Sequence, residues 1–111
     1  MASIPYNKLV RDLIPDIIAK GGQRAVTRML TSEEYPEEIG KKFAEEGAEY
    51  VSAPNREERL RELCDALQLI HDAAARDEAT IGDIEALRIE KLAQRGGFTM
   101  GIFLEEVVDD K

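Results

Sequence analysis

The chain contains one cysteine, one histidine, no tryptophan and no long apolar run. A single cysteine excludes an internal disulfide bond. We interpret Cys64 as a small core residue rather than a nucleophile, because the only histidine, His71, lies seven residues further on. No segment approaches the ~20 apolar residues that span a membrane. The N-terminal residues include Pro5, Lys8 and Arg11 and lack the apolar run of a signal peptide. We therefore expect a cytoplasmic protein without membrane association.

Basic residues are also in the minority. The 15 Lys and Arg face 23 Asp and Glu, for a net charge of −8. This balance argues against a nucleic-acid or acidic-membrane binder, which needs a basic surface. There is no Gly-rich phosphate-binding loop of the Walker type. The length of 111 residues predicts one domain, 1–111, with an irregular arm at 1–11 and an acidic tail at 105–111 to which we assign no role.

The apolar periodicity and the capping residues predict a mainly α fold, a compact antiparallel bundle of three to four helices. A short helix is expected over 13–20, capped by Asp12. Longer helices are expected to begin near residue 32, after Asn55 and after Thr80, and Gly96-Gly97 is expected to end the last one. The β-branched segments 24–30 and 98–104 are compatible with a small two-stranded ribbon.

Two pairs of carboxylates stand out on the middle helices. Glu46 and Glu49 are three residues apart, and so are Glu62 and Asp65. Residues at this spacing share a helix face, one turn apart. If the two helices are antiparallel neighbours, all four carboxylates point into one groove.

Glu46 falls within the apolar stripe of its helix, beside Phe43 and Tyr50. An anion on the buried side of a helix is costly unless a cation meets it. Lys42 is the only basic residue one turn away, and it can neutralise one carboxylate, not four. A set of oxygen ligands without cysteine or histidine suits a hard cation, so we expect Mg²⁺, or alternatively Mn²⁺.

The second helix carries an apolar stripe that we expect to form the core, made of Leu60, Leu63, Cys64, Leu67, Ile70 and Ala74. Its carboxylates lie on a neighbouring face, at the edge of the expected helix contact. Glutamate-rich helices usually present nothing more than a solvated face. Two short-linked pairs, one of them inside an apolar stripe, favour a site over that interpretation.

The spacing E-x-x-E (46–49), twelve residues, then E-x-x-D (62–65) resembles the metal motif of the all-α NTP pyrophosphatases. This MazG-like superfamily includes the phosphoribosyl-ATP pyrophosphohydrolases. The opening Tyr6-Asn7-Lys8-Leu9-Val10-Arg11-Asp12 and the late Lys91-x-x-x-Arg95-Gly96-Gly97-Phe98 resemble its phosphoribosyl-ATP pyrophosphohydrolase-like branch. The resemblance extends from Tyr6 to Leu104.

The resemblance implies hydrolysis of a nucleoside triphosphate between its α and β phosphates, whereas the residue pattern alone also permits β–γ cleavage. The expected metal ligands are Glu46, Glu49, Glu62 and Asp65, and Glu45 is the first candidate for the general base. Basic residues on the last helix would ordinarily be a solvated face; the resemblance makes Lys91 and Arg95, with Lys8 and Arg11 of the arm, candidate phosphate contacts. It also implies a homodimer or homotetramer.

Three alternatives remain open. One is phosphoribosyl-ATP pyrophosphohydrolase itself, although the flanking motifs are those of the "-like" branch. Another is a non-catalytic sensor that holds metal and nucleotide without turnover. The last is a purely structural helical domain, which requires Glu46 to be exposed to solvent. The leading hypothesis is an enzyme that removes a non-standard or surplus nucleotide.

Overall fold

A computed structural model describes residues 3–109 and contains four helices. They are α1 (Ile14–Lys20), α2 (Glu34–Ser52), α3 (Arg56–Arg76) and α4 (Ile81–Arg95). Between residues 3 and 109 there is no β-strand, so the prediction of a mainly α fold is confirmed. None of these helices combines the length and the apolar character that crossing a membrane requires.

Hydrogen bonds between side chains and backbone amides mark the starts of three of the helices. Thr31 and Glu34 exchange side chain to backbone hydrogen bonds ahead of α2, and Thr80 and Asp83 do the same ahead of α4. The Asn55 side chain accepts a bond from the Glu58 amide at the start of α3. These bonds satisfy amides that have no partner within the helix.

The predicted cap of the first helix is wrong. Leu13, not Asp12, is the residue before α1, and no side chain caps that end. Pro15 lies in the first turn of α1, where its missing amide hydrogen costs no helical hydrogen bond, so the helix starts without help from Asp12.

The centre of the structure is a hairpin of α2 and α3, joined by the three residues 53–55. The two helices are antiparallel. At the open end of the hairpin, the Arg76 guanidinium near the end of α3 lies 4.0 Å from the ring centre of Tyr35 at the start of α2. Among residues 3–109, Ile39 of α2 and Ala74 of α3, each 6% exposed, are the buried residues. The hairpin therefore supplies what core the single chain has.

Four of the six predicted core residues of α3 face outward, which corrects the sequence-based orientation of this helix; of the other two, Ala74 is buried and Ile70 is half-buried. Leu60, Leu63 and Leu67 are 46–51% exposed, and Cys64 is exposed rather than buried. The less exposed face of α3 instead carries its carboxylates, among small and apolar residues (Glu62, Asp65, Ala66, Leu69, Ile70, Ala73). Alanines allow a neighbouring helix to approach closely, so this mixed face packs against α2 and the leucines remain exposed. We call Leu60, Leu63, Cys64 and Leu67 the outer stripe.

The possible ribbon of 24–30 and 98–104 does not form. Both segments lack strand structure, and no backbone hydrogen bond joins them in the described chain. An isolated two-stranded ribbon is marginal in water, so β-branched composition alone does not produce one. The acidic tail is exposed and irregular up to residue 109. Residues 1–2 of the predicted arm and 110–111 of the predicted tail lie outside the described residues.

The chain has a large surface for its mass. Its radius of gyration is 18.8 Å, against about 13 Å expected for a compact domain of this length. Its accessible surface is 10367 Å², whereas a folded monomer of this mass exposes roughly 6,100 Å². Much of the excess is apolar, including Phe98, Met100, Phe103 and the outer stripe. The single chain thus leaves uncovered apolar surface that a stable fold normally buries.

Thr80→Ala should lower the free energy of unfolding by about 1 kcal/mol, because it removes the side-chain oxygen that accepts the Asp83 amide hydrogen. Urea denaturation followed by circular dichroism measures this difference. Thr99→Ala is the matched control, since Thr99 is exposed and lies outside the helices. Equal losses in the two variants would contradict the role of the cap.

Candidate metal centre

The hairpin turn determines which carboxylates meet. Glu46 and Glu62 each lie eight positions from Pro54, in the middle of the connection. Residues at equal distances from a tight turn come level with each other on antiparallel helices. Glu49 lies one turn along α2 from Glu46, on the same face. The three carboxylates accordingly converge, each offering an oxygen within 4.8 Å of the others. We call Glu46, Glu49 and Glu62 the glutamate trio.

The trio lies partly inside the contact between the two helices. Glu46 and Glu62 are half-buried and Glu49 is exposed. One oxygen of each half-buried member, Oε2 of Glu46 and Oε2 of Glu62, is inaccessible to solvent and has no hydrogen-bond donor in the described structure. A buried polar atom without a partner costs about 1–3 kcal/mol. These two oxygens are the places where a cation or a proton would be most stabilising.

The pKa values of the trio also indicate that a cation or a proton is stabilising at this position. Burial raises the pKa of Glu46, and the neighbouring charges of Glu49 and Asp65 add to that rise. The pKa of Glu62 is raised by its contact with Glu46, and that of Glu49 by its contact with Glu62. Two carboxyl groups form a hydrogen bond only when one of them holds a proton, so without a cation the trio retains a proton above the usual pH.

Asp65, the fourth predicted ligand, lies next to the trio but has a different partner. Its Oδ1 accepts a hydrogen bond of 2.5 Å from Nη2 of Arg11, in the N-terminal arm. Asp65 is one turn beyond Glu62 on α3, and its charge is close enough to raise the pKa of Glu46. The structure thus brings three of the four predicted ligands together and places the fourth in an ion pair at their edge.

Glu45, the predicted base, lies between two lysines. One of its oxygens is 3.3 Å from Nζ of Lys42 and the other is 3.6 Å from Nζ of Lys8. The hydrogen bond from Lys42, followed by the charges of both lysines, lowers the pKa of Glu45. The pairing keeps Glu45 ionised, as a base must be, but makes it less basic than the trio. Its assignment as the base stays a prediction.

The four predicted phosphate contacts divide into two groups. Lys8 and Arg11 touch carboxylates at or beside the trio, as described. Lys91 lines a shallow groove of about 260 Å³ with Arg88 and Phe98 at the end of α4. Arg95 lies in the last turn of α4 and is exposed. In residues 3–109, no hydrogen bond or ion pair joins Lys91 or Arg95 to the trio, and their role stays a prediction.

A second groove, which the sequence interpretation missed, opens near the trio. It has a volume of about 450 Å³ and is lined by the stripe Tyr35, Ile39 and Phe43 of α2, with Arg76 of α3 opposite. Phe43 is one helical turn from Glu46. The spacing i, i+4, i+8 marks these residues as one face of α2, but this pattern predicts a core position and does not distinguish it from a groove.

The trio fits a hard divalent cation. All of its donor atoms are carboxylate oxygens, the ligands that Mg²⁺ and Mn²⁺ prefer, and two of those oxygens are buried without a donor. Glu46 is half-buried in the helix contact, as its place in the apolar stripe predicted, so the structural alternative that requires its full exposure is not supported.

Comparisons with protein-family models, with curated proteins and with solved structures find no match to this chain. The function of the chain is therefore inferred from the residues of the trio and their surroundings, together with the resemblance of the sequence motifs.

Glu46→Gln should stabilise the protein in the absence of divalent cations by about 1 kcal/mol, because it removes a charge that lacks a donor. The gain should grow as the pH rises. The raised pKa values mean that the folded protein binds more protons than the unfolded chain above the ordinary value of 4.5, so wild type loses stability through that window. Thermal unfolding in EDTA at pH 5 and pH 7.5 measures the difference.

Glu90→Gln, at an exposed position of α4, provides the matched control and should show no such trend. A Glu46→Gln protein that is less stable than wild type at pH 7.5 would contradict the inference that the Glu46 charge is unpaired.

Proposed function

We propose that the chain is a metal-dependent nucleotide pyrophosphohydrolase that converts a nucleoside triphosphate to its monophosphate and pyrophosphate. The observation that carries this proposal is the pair of buried oxygens on Glu46 and Glu62, two carboxylates of the converging trio, which have no hydrogen-bond donor in the described structure. A fold does not retain such a costly arrangement for stability alone. The motif resemblance supports α–β cleavage in particular.

In this proposal the glutamate trio holds Mg²⁺ or Mn²⁺, with Asp65 as the fourth ligand. The bound ion would offset the charge that develops on the phosphate oxygens. Glu46 and Glu62 fix the ligand geometry because both are anchored on packed helices. Glu49, the exposed member, is the one nearest to solvent and to an entering substrate.

The remaining residues act on water and phosphate. Glu45, ionised beside Lys8 and Lys42, orients the attacking water and accepts its proton. Lys8 and Arg11 bind phosphate from the N-terminal arm, and Lys91 and Arg95 of α4 supply further positive charge. The groove at Tyr35 and Phe43 has the size and aromatic lining that suit a nucleobase.

The substrate that we favour is a non-standard or surplus nucleotide, hydrolysed in the cytoplasm. Phosphoribosyl-ATP is the second candidate, since the motifs are shared with the phosphoribosyl-ATP pyrophosphohydrolases. A sensor that binds metal and nucleotide without turnover is the alternative outside the enzymes. The weakened basicity of Glu45 is the observation in favour of a sensor.

Pyrophosphate release from a panel of nucleoside triphosphates and phosphoribosyl-ATP, with Mg²⁺ or Mn²⁺, tests the proposal. We expect metal-dependent release that falls about 100-fold or more in Glu46→Gln, because this change removes a charged ligand. The preferred substrate identifies the branch.

Glu90→Gln should retain wild-type activity in the same assay. Calorimetric binding of metal and nucleotide without product release from any substrate would contradict hydrolysis and favour the sensor. Release of phosphate instead of pyrophosphate would contradict α–β cleavage.

We further propose that the working protein is a homodimer or homotetramer. The chain exposes about 4,000 Å² more surface than a folded monomer of its mass, which exceeds the roughly 1,000–2,500 Å² that each partner buries in an obligate interface. The outer stripe is an exposed apolar face on α3, and the apolar residues of 98–108 are exposed as well. A second copy of the chain is the occupant that carries equal apolar surface to bury.

Leu63→Glu should shift the protein toward monomer, since a charge in the centre of the outer stripe cannot be buried without a partner. Sedimentation velocity across a concentration series measures the shift, expected as a loss of association of about tenfold or more. Val26→Glu introduces the same charge at an exposed apolar residue outside the stripe. A wild-type protein that is monomeric at all concentrations would contradict the proposal.

A further inference from the structure

The N-terminal arm is attached to the hairpin through charged contacts. Arg11 pairs with Asp65, and Lys8 pairs with Glu45. Within residues 3–109, α1, which follows the arm, packs against none of the other helices. Both contacts end on carboxylates adjacent to the glutamate trio, so the arm delivers two cations to the border of the candidate metal centre.

Arg11 pairs with a carboxylate of the candidate metal centre, that of Asp65. Asp65 lies one turn beyond Glu62 and shares its helix face. The guanidinium of Arg11 neutralises this one member of the acidic group, while the trio has no donor of its own at its two buried oxygens. The charge of Arg11 therefore lies beside the trio and does not pair with the two buried oxygens of Glu46 and Glu62.

The contact of Arg11 with Asp65 is exchangeable. Its two side chains are 57% and 37% exposed, and ion pairs at this exposure add only a small factor, about two- to fivefold, to an equilibrium constant. A divalent cation with several carboxylate ligands binds more strongly than one exposed guanidinium. When such an ion and Arg11 compete for Asp65, the guanidinium is the group that leaves.

We propose that Arg11 is an exchangeable counter-ion, which holds Asp65 until a divalent cation binds and is then released together with its segment of the arm. This inference rests on the proposed function. It adds that the trio and Arg11 are coupled: cation binding frees a guanidinium at the edge of the site, where an anionic substrate enters. The coupling is reciprocal, so Arg11 must weaken cation binding by the same factor by which the cation weakens the Arg11 contact.

Two roles of Arg11 predict opposite results. As a competitor, Arg11 reduces the affinity for the cation, and its removal tightens binding. As a residue that only orients Asp65 toward the trio, its removal leaves Asp65 less ordered and weakens binding. Cation affinity therefore separates exchange from positioning without any measurement of activity.

The test is a calorimetric titration of Mn²⁺ into wild type, Arg11→Ala and Arg28→Ala. Arg28 is the matched control, because it forms an arginine–carboxylate pair with Glu34 of similar exposure, 67% and 35%, away from the trio. We expect Mn²⁺ to bind about two- to fivefold more tightly to Arg11→Ala than to wild type. Arg28→Ala should match wild type.

Equal or weaker binding in Arg11→Ala, with Mn²⁺ still bound by wild type, would overturn the exchange while leaving the metal centre intact. Absence of Mn²⁺ binding from all three proteins would instead contradict the metal centre, and the exchange with it.

A second measurement uses wild type alone. The Nε–H resonance of Arg11, assigned by its absence from Arg11→Ala, should move toward the position of a free arginine as diamagnetic Mg²⁺ is added. A resonance that stays unchanged at saturating Mg²⁺ would overturn the exchange even if the variant proved unstable.

Discussion

The contact between α2 and α3 governs the rest of this structure, because it places Glu46 against Glu62 where two helices pack. Charges at such a position are normally excluded or paired. Here one buried oxygen of each residue has no donor in the described structure, and the pKa of each carboxyl group is raised. Three other features accompany this contact: the orientation of α3, the exposure of its leucines and the ion pairs that the N-terminal arm forms beside the trio.

The helices and the convergence of the acidic residues could be predicted from sequence, since both follow from local rules. Capping pairs such as Thr80 and Asp83 define helix ends within a few residues, and a short turn at Pro54 brings Glu46 level with Glu62. The orientation of α3 could not be predicted in this way. Periodicity shows that Leu60, Leu63 and Leu67 share an apolar face, but it does not show whether that face is covered by the same chain.

Contacts between residues that are far apart in the sequence could not be predicted either. Arg11 and Asp65 are separated by 54 residues, and no local pattern links them. The sequence interpretation assigned Arg11 to phosphate and Asp65 to metal, without indicating that they touch. The groove beside Phe43 could not be predicted for a related reason. An apolar stripe has the same sequence pattern whether a neighbouring element fills the space beside it or leaves a groove there.

The three-residue connection between α2 and α3 also bears on how the protein folds. The glutamate trio and Asp65 belong to one continuous stretch, 46–65, so forming the site closes only a short loop. Contacts of such low sequence separation form early and quickly, before segments that depend on distant partners. During synthesis, the hairpin emerges ahead of α4 and the residues that follow it, and the acidic cluster can assemble before the exposed apolar surfaces of the finished chain are buried.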